Sequence, residues 1–385
     1  MIRLIILSDF TEAFAHKLLR GIMEYSRQTE PWAVCRMPPA YKVQTGIEGV
    51  LAWAGIWKAD AIIGQFNDDD PIELFEKNGI VVVAQDFNSR FERITNITSD
   101  YLLTGQMAAD FFLRKGFRNF AFYGYKKAVW SDERFEGFRR CLCEAGYENN
   151  IYEYNHQPLG SLWYYQTEPV SEWIVQLPKP VALLTCDDNQ GNKIAEVCKL
   201  TGIRIPQDVA VLGVDNDETI CDLTDPPLSS ISLSIEKAGY ETARQIELLV
   251  RGRAAGRQDV VIHPCCIINR ASTDLFATND EYVSQALRYI HAHLGSKLTV
   301  DDIVKKLPLS RRLFEMRFRK ITGMPVYQYI WNERIEKFIR TLLATEKSIA
   351  EILMETGEID YHNFSRIFRK MKGCSPTCYR KYHKV

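Results

Sequence analysis

The feature that most constrains how this chain can fold is a change of rhythm between residues 270 and 280. Before it, short apolar runs alternate with amphipathic stretches of helical length; after it, apolar residues recur only at helical spacing. A run that is apolar throughout belongs to a strand buried on both faces, and parallel strands of that kind need helical crossovers between them. The first part is therefore expected to be a layered α/β unit. Strands are predicted at 4–7, 61–64, 81–84, 120–124, 181–185 and 209–214, with helices at 15–27, 104–115, 133–145 and 191–201. The rhythm runs too long for one small sheet. Two sequential lobes are expected, with a ligand site in the cleft outside the carboxyl ends of their strands. A short polar stretch at 271–280 marks the change, and the expected divisions are an α/β part at 1–274, a linker at 275–279 and an all-α domain at 280–385.

Charge divides in the same place. The whole chain carries a net −1, yet residues 280–385 hold 20 Lys and Arg against 12 Asp and Glu, and residues 1–279 hold 28 against 37. A basic helical domain behind an acidic body suggests that only the former meets a polyanion. No run approaches the roughly 20 apolar residues that cross a bilayer, so no membrane partner is expected. The opening apolar residues are followed by Asp9 where a leader would have its cleavage site, and read as a first buried strand. Ten cysteines without a paired framework point to a reducing cytosol. Cys374, Cys378 and His383 lack a fourth zinc ligand, and neither metal nor other cofactor is expected.

Within the basic domain one pattern occurs twice. A short helix at 298–307 is followed by the turn Pro308-Leu309, then Ser310, placed to cap a helix beginning Arg311-Arg312-Leu313-Phe314. About 50 residues later a short helix at 348–355 is followed by Thr356-Gly357, and Asp360 can cap a helix at 361–370. Each second helix has an apolar face, Leu313, Phe314 and Phe318 or Phe364, Ile367 and Phe368, opposite a basic one. Together with Phe318-Arg319-Lys320-Ile321-Thr322-Gly323, Ile349-Ala350-Glu351-Ile352, Phe364-Ser365-Arg366-Ile367-Phe368-Arg369-Lys370 and Gly373-Cys374-Ser375-Pro376-Thr377-Cys378-Tyr379-Arg380, this order resembles the arabinose-operon-regulator (AraC) family over about residues 299–380. The resemblance implies two helix-turn-helix units joined by a long helix. Val304 and Leu353 stand where that family has a small residue, and Glu358 where it has an aromatic one. A recognition helix enters the major groove by its N-terminal part. Arg312, Glu315 and Met316 in the first unit, and Tyr361, His362, Asn363 and Arg366 in the second, are then placed for base edges; Arg311, Arg319, Lys320, Arg369 and Lys370 for phosphates. A helical bundle with a merely solvated basic face would need neither the cap-Arg-Arg pattern nor its repetition.

The α/β part resembles the effector domain of the lactose- and galactose-repressor family, itself similar to periplasmic sugar-binding proteins. The resemblance rests on Asp100-Tyr101-Leu102-Leu103-Thr104-Gly105, Phe120-Ala121-Phe122-Tyr123-Gly124, Arg134-Phe135-Glu136-Gly137-Phe138, Leu184-Thr185-Cys186-Asp187-Asp188 and Val211-Leu212-Gly213-Val214-Asp215-Asn216. It implies a two-lobed α/β periplasmic-binding-protein-like domain in which Asp100, Arg134, Asp187 and Asp215 bind sugar hydroxyls. Carboxylates accept hydroxyl protons and a guanidinium donates to oxygens, while an aromatic face covers the C–H side of a sugar; Trp130, Trp163 and Phe10 are candidates for that cover. Asp100 and Asp187 both precede helices, so each could instead be a cap. Such effector domains ordinarily follow a DNA-binding headpiece, whereas here the first strand begins at Ile2 and DNA binding is expected at the other end. That pairing of halves resembles regulators of the xylose-operon type.

The expected function is that of a cytoplasmic transcription regulator, an activator of genes for xylose or a related pentose. Its expected partners are an operator DNA, a sugar effector, a second copy of the chain and RNA polymerase. An alternative uses the cleft carboxylates for glycoside chemistry, but no phosphate-cradling loop, nucleophile elbow or metal cluster accompanies them. A regulator of a non-sugar metabolite is the other alternative.

Overall fold

The computed structural model describes residues 1–156, 168–253, 258–275, 280–296, 298–345, 347–355 and 361–383. The first lobe opens with β1 (Arg3–Leu7), α1 (Ala13–Gln28), β2 (Ala33–Met37), α2 (Pro39–Trp57), β3 (Ala61–Gln65), α3 (Glu73–Lys77), β4 (Val81–Gln85) and β5 (Thr95–Ser99). The second lobe follows with α4 (Tyr101–Arg114), β6 (Phe120–Tyr125), α5 (Val129–Glu144), β7 (Ile151–His156), α6 (Glu168–Gln176), β8 (Val181–Thr185), α7 (Asp188–Thr201), β9 (Val209–Val214), α8 (Glu218–Leu223) and β10 (Ser229–Leu233). The chain returns to the first lobe for α9 (Ile235–Val250) and β11 (Val260–Ile262), then to the second for β12 (Pro264–Ile268). Each lobe thus has a six-stranded sheet, ordered β11-β5-β4-β3-β1-β2 and β12-β10-β9-β8-β6-β7. All pairings are parallel except β10 with β12.

All six predicted strands and four predicted helices of this part are present. Sequence reasoning passed over β2, β7, β11 and β12, and two strands, β5 and β10, whose polar residues hid them. β5, Thr95-Asn96-Ile97-Thr98-Ser99, is buried along its whole length because its side chains have fixed partners: Asn96 bonds Phe91 and Asp259, Thr98 donates to Asp86, and Ser99 donates to the Ile262 carbonyl. β10 begins with two buried serines. Within the polar stretch at 271–280, Ser272 and Thr273 are buried. Ser272 Oγ donates to the Val211 carbonyl and accepts from the Ser229 N–H, and Thr273 Oγ1 bonds Ser229 Oγ. These hydroxyls hold the segment against β9 and β10 of the second sheet, so 271–274 lie on that lobe. Residues 276–279 of the expected linker lie outside the described residues.

Beyond it stand seven helices among the described residues: α10 (Glu281–Ala292), α11 (Val300–Val304), α12 (Arg311–Thr322), α13 (Val326–Ala344), α14 (Ile349–Glu355), α15 (Tyr361–Lys372) and α16 (Pro376–His383). Thr299 and Asp302 form a capping box on α11, and Ser310 caps α12 through the Leu313 N–H. The same reciprocal bonds join Ser348 and Glu351 ahead of α14. Asp360, expected to cap α15, lies outside the described residues. α12 and α15 are alike position by position: 311–320 and 361–370 run through the same order of exposed, half-buried and buried residues. Each then stops at a glycine in the left-handed region, Gly323 (φ 75°) and Gly373 (φ 76°). The first core packs Phe314 and Phe318 against Leu287, Ile290, Ile303 and Tyr329. The second packs Phe364 and Phe368 against Ile335, Phe338, Ile352 and Leu353. Helix α13 supplies both, its first half to one core and its second half to the other. Leu353, larger than the residue usual there, is buried in the second core rather than displaced from it.

Candidate functional site

The chain crosses between the lobes three times, at residues 99–101, 233–235 and 262–264. The crossings are tied side by side, Asp100 N–H to the Ile262 carbonyl (2.9 Å) and Ser234 N–H to the His263 carbonyl (2.9 Å). Between the lobes lies a cavity of about 640 Å³. Of the seven expected ligand residues, Trp130, Arg134, Asp187 and Asp215 line it. Asp100 does not: it sits at the hinge and its carboxylate caps α4 by accepting from the Leu103 N–H. Phe10 is also off the wall, packed edge-on against His16 with the Arg36 guanidinium over its ring. Trp163 lies outside the described residues.

Arg134 is held by an unusually close helix crossing. Gly105 of α4 and Gly137 of α5 face each other's partner backbone, and a Cβ on either would stand 2.0 Å from a carbonyl oxygen, that of Arg134 or Leu102. This lets α5 lie against α4 and carries Arg134, only 4% exposed, to the cleft wall. Its guanidinium sits over the Tyr101 ring at 5.4 Å and the Trp130 ring at 5.7 Å, a desolvated cation–π arrangement. Nη1 donates to the Cys186 carbonyl and Nη2 to Asp215 Oδ1 (3.4 Å), while the buried Nε has no partner.

Asp215 itself is in an uncommon backbone conformation, φ 100°, followed by Asn216 at φ 46°. Strain of this kind persists only where surroundings over-determine it. Here Lys17 of the first lobe donates to both carbonyls (2.8 Å each), and Arg270 donates to Asn216 Oδ1. On the opposite side Arg90 of the first lobe makes two bonds to Glu133 of α5 (2.8 and 2.7 Å), and Val129 N–H meets the Phe87 carbonyl. The lobes are therefore joined across both flanks of the cavity.

The electrostatics are acidic. Eight carboxylates, from Asp9, Glu12, Asp86, Asp187, Asp188, Glu196, Asp215 and Asp217, line the cavity with four cations, Lys126, Lys127, Arg134 and Lys193. Burial, with the neighbouring Asp215 charge, pushes Asp187 up to about 6, although the Gln190 N–H opposes this. Glu12 is open to the cleft yet enclosed by protein on its other sides. That enclosure, followed by the charges of Asp187, Asp215, Asp9 and Asp217, pushes it up to about 8. Sequence reasoning missed Glu12, Asp86, Tyr101 and Gln190. For Asp86 the signal was present: Asp9, Asp86, Asp187 and Asp215 all stand one or two residues past the carboxyl end of a parallel strand. Buried atoms without partners on the cleft residues include Gln85 Oε1, Asp86 Oδ1, Asp188 Oδ1, Gln190 Oε1 and Arg134 Nε. Such atoms fit a ligand rich in hydroxyl groups, which donate and accept. Among the described residues no cluster of three or more His, Cys, Asp or Glu side chains is placed to hold a metal ion.

On the helical domain, Arg312, Met316, Arg319 and Lys320 of α12 are exposed, as are Tyr361, His362, Arg366, Arg369 and Lys370 of α15. Asn363 is half-buried and accepts from Arg366 at 3.2 Å. Arg311 is already engaged, by Asp301 and by Glu315 at 2.9 Å each, which offsets its charge toward a phosphate and occupies Glu315 as well.

Residues 109–273 match the model of a periplasmic binding protein-like domain, and residues 303–382 that of a helix-turn-helix domain. The xylose operon regulatory protein of Escherichia coli K12 is 24% identical over 98% of this chain and 96% of its own length. That of Haemophilus influenzae is 27% identical over 83% of this chain and 84% of its own. A solved xylose-binding transcription activator shares the fold with a TM-score of 0.60 at 23% identity, over all of this chain and 98% of the other. A periplasmic-binding-protein-like effector domain and a helix-turn-helix domain on one chain define a transcription regulator. Within that class the chain is similar, over nearly its whole length, to the xylose operon regulatory proteins and shares their two-part architecture.

Proposed function

We propose that this regulator is a cytoplasmic activator of sugar-catabolism genes whose effector is D-xylose or a related pentose, held in the cleft between the lobes. The observation that carries the reading is Arg134, buried between Tyr101 and Trp130 with an unpartnered Nε, among cleft residues whose remaining orphan atoms are hydrogen-bond acceptors. The names of the full-length relatives support the choice of sugar. Arg134, Asp187 and Asp215 hold hydroxyls, and Trp130 covers the apolar side of the ring. On the operator, Arg312, Met316, Tyr361, His362, Asn363 and Arg366 face base edges, and Arg319, Lys320, Arg369 and Lys370 face phosphates. The chain acts as a homodimer and meets RNA polymerase when DNA-bound.

The test is a thermal-shift series across monosaccharides, because a ligand that binds only the native state raises its melting temperature. D-xylose should raise it, and Arg134→Ala should weaken the sugar about 10- to 100-fold by removing buried charged hydrogen bonds. Binding of operator DNA without sugar should survive that substitution. If no monosaccharide stabilises the protein, the sugar reading fails.

A further inference from the structure

Strand β12 is the outermost strand of the second sheet, and it is apolar: Pro264-Cys265-Cys266-Ile267-Ile268. An apolar edge strand is a hazard unless something covers it. Here the cover is the DNA-binding domain. Cys266, 6% exposed, is part of the same core as Trp331, Ile335, Phe338 and Ile339 of α13, with Cys265 and Ile268 packed against it. Tyr379 of α16 has the Cys265 and Cys266 thiols among its neighbours, and Tyr329 of α13 has Arg114 at the end of α4 and Asp274. Every effector-domain residue in these contacts belongs to the second lobe. The connection into that domain is anchored there too, by the buried hydroxyls of Ser272 and Thr273 on β9 and β10. The first lobe meets the second at the three hinge crossings, where one apolar core holds residues of both lobes, and across the cleft through polar contacts at its flanks, including Arg90–Glu133 and Lys17 on the Asp215 and Asn216 carbonyls.

We infer that the β12–α13 seam docks the DNA-binding domain onto the second lobe as one body, so that the first lobe is the part that moves relative to both recognition helices when the cleft changes. The seam is apolar at its centre, where Cys266 is buried against α13, with Cys265 and Ile268 half-buried beside it and the charged Arg114 and Asp274 near Tyr329; an apolar contact of this kind holds two domains together more firmly than a polar one. Since β12 directly follows the hinge residue His263, the moving joint and the docked strand are adjacent in the chain. The sugar-dependent half of this inference rests on the proposed function; the docking half does not.

Two experiments on the full chain separate them. Cys266→Asp places a charge in the seam, and hydrogen exchange should then accelerate at least about tenfold in residues 331–342 while α1 stays as in the wild type. Unchanged exchange in α13 would overturn the docking. If that variant does not fold, distances in the otherwise wild-type chain decide, using genetically encoded fluorophores on exposed residues of each lobe and of α12. Adding D-xylose should change the first-lobe to α12 distance and leave the second-lobe to α12 distance constant. A change in the latter would overturn the inference. Constancy of both, in a chain that D-xylose does stabilise thermally, would overturn the moving-lobe claim, whereas absence of any thermal stabilisation would sink the sugar reading alone.

Discussion

Glu12 is a carboxylate whose surroundings hold it well above its ordinary range. It stands just before α1 on the first lobe, and three of the four carboxylates facing it, Asp187, Asp215 and Asp217, belong to the second; the fourth is Asp9. Bringing the lobes together therefore removes water from around it and then crowds it with negative charge, and the carboxyl responds by holding its proton up to about pH 8. The sign follows directly. Below the ordinary carboxylate range Glu12 is neutral whether the cleft is open or closed, and nothing is lost. As pH rises through the window from its ordinary value of 4.5 to about 8, the open form ionises freely while the closed form must keep a proton or accept repulsion. Closure weakens across that window. Sugar affinity measured by calorimetry from pH 5.5 to 8.5 should fall with rising pH, and Glu12→Gln should flatten the upper half of the profile. Identical slopes in the two proteins would remove Glu12 from the closing step. Glu12 was not legible in the sequence, because nothing local distinguishes it from a solvated helix-start carboxylate; its setting is made by residues about 200 positions away.

At the scale of elements, the glycines show what the sequence did and did not disclose. The stretches around Gly105 and Gly137 both stood out as fragments of a sugar-repressor-like domain, but their mutual contact is visible only when α4 and α5 are brought together. Gly105→Ala should force the helices apart, since the added Cβ meets backbone rather than a flexible side chain. The expected cost is about 1–3 kcal/mol, as for other overpacked cores, with weaker sugar binding as Arg134 is displaced. Gly55→Ala in α2, where a Cβ meets nothing within 4 Å, should be neutral or slightly stabilising and serves as the control. Chemical denaturation of both variants checks this. The continuous apolar strands were legible because burial on both faces leaves one pattern. β5 and β10 were not, because buried polar strands satisfy their side chains through distant partners such as Asp259 and Thr273. The paired helix-turn-helix units were the most legible part of all, since caps, aromatic spacing and terminal glycines are local features. Asp100 shows the opposite case, a residue rightly placed in a family pattern whose side chain is occupied by its own helix.

For the whole molecule, the proposed docking links the acidic cleft to the two recognition helices through the second lobe. On the proposed dimer, a change in the cleft alters where the two DNA-binding domains stand relative to each other, without altering any base contact. Sugar should then act on the simultaneous engagement of two half-sites, which is a matter of effective concentration, rather than on either half-site alone. The direct measurement is fluorescence anisotropy of the full-length protein on an operator with two half-sites and on a single half-site, with and without saturating D-xylose. Salt is held fixed because phosphate contacts make the affinity salt-dependent. D-xylose is predicted to change affinity for the two-half-site DNA by about tenfold or more and for the single half-site by less than about twofold. Equal changes on both DNAs, or none on either with sugar bound, would contradict the account.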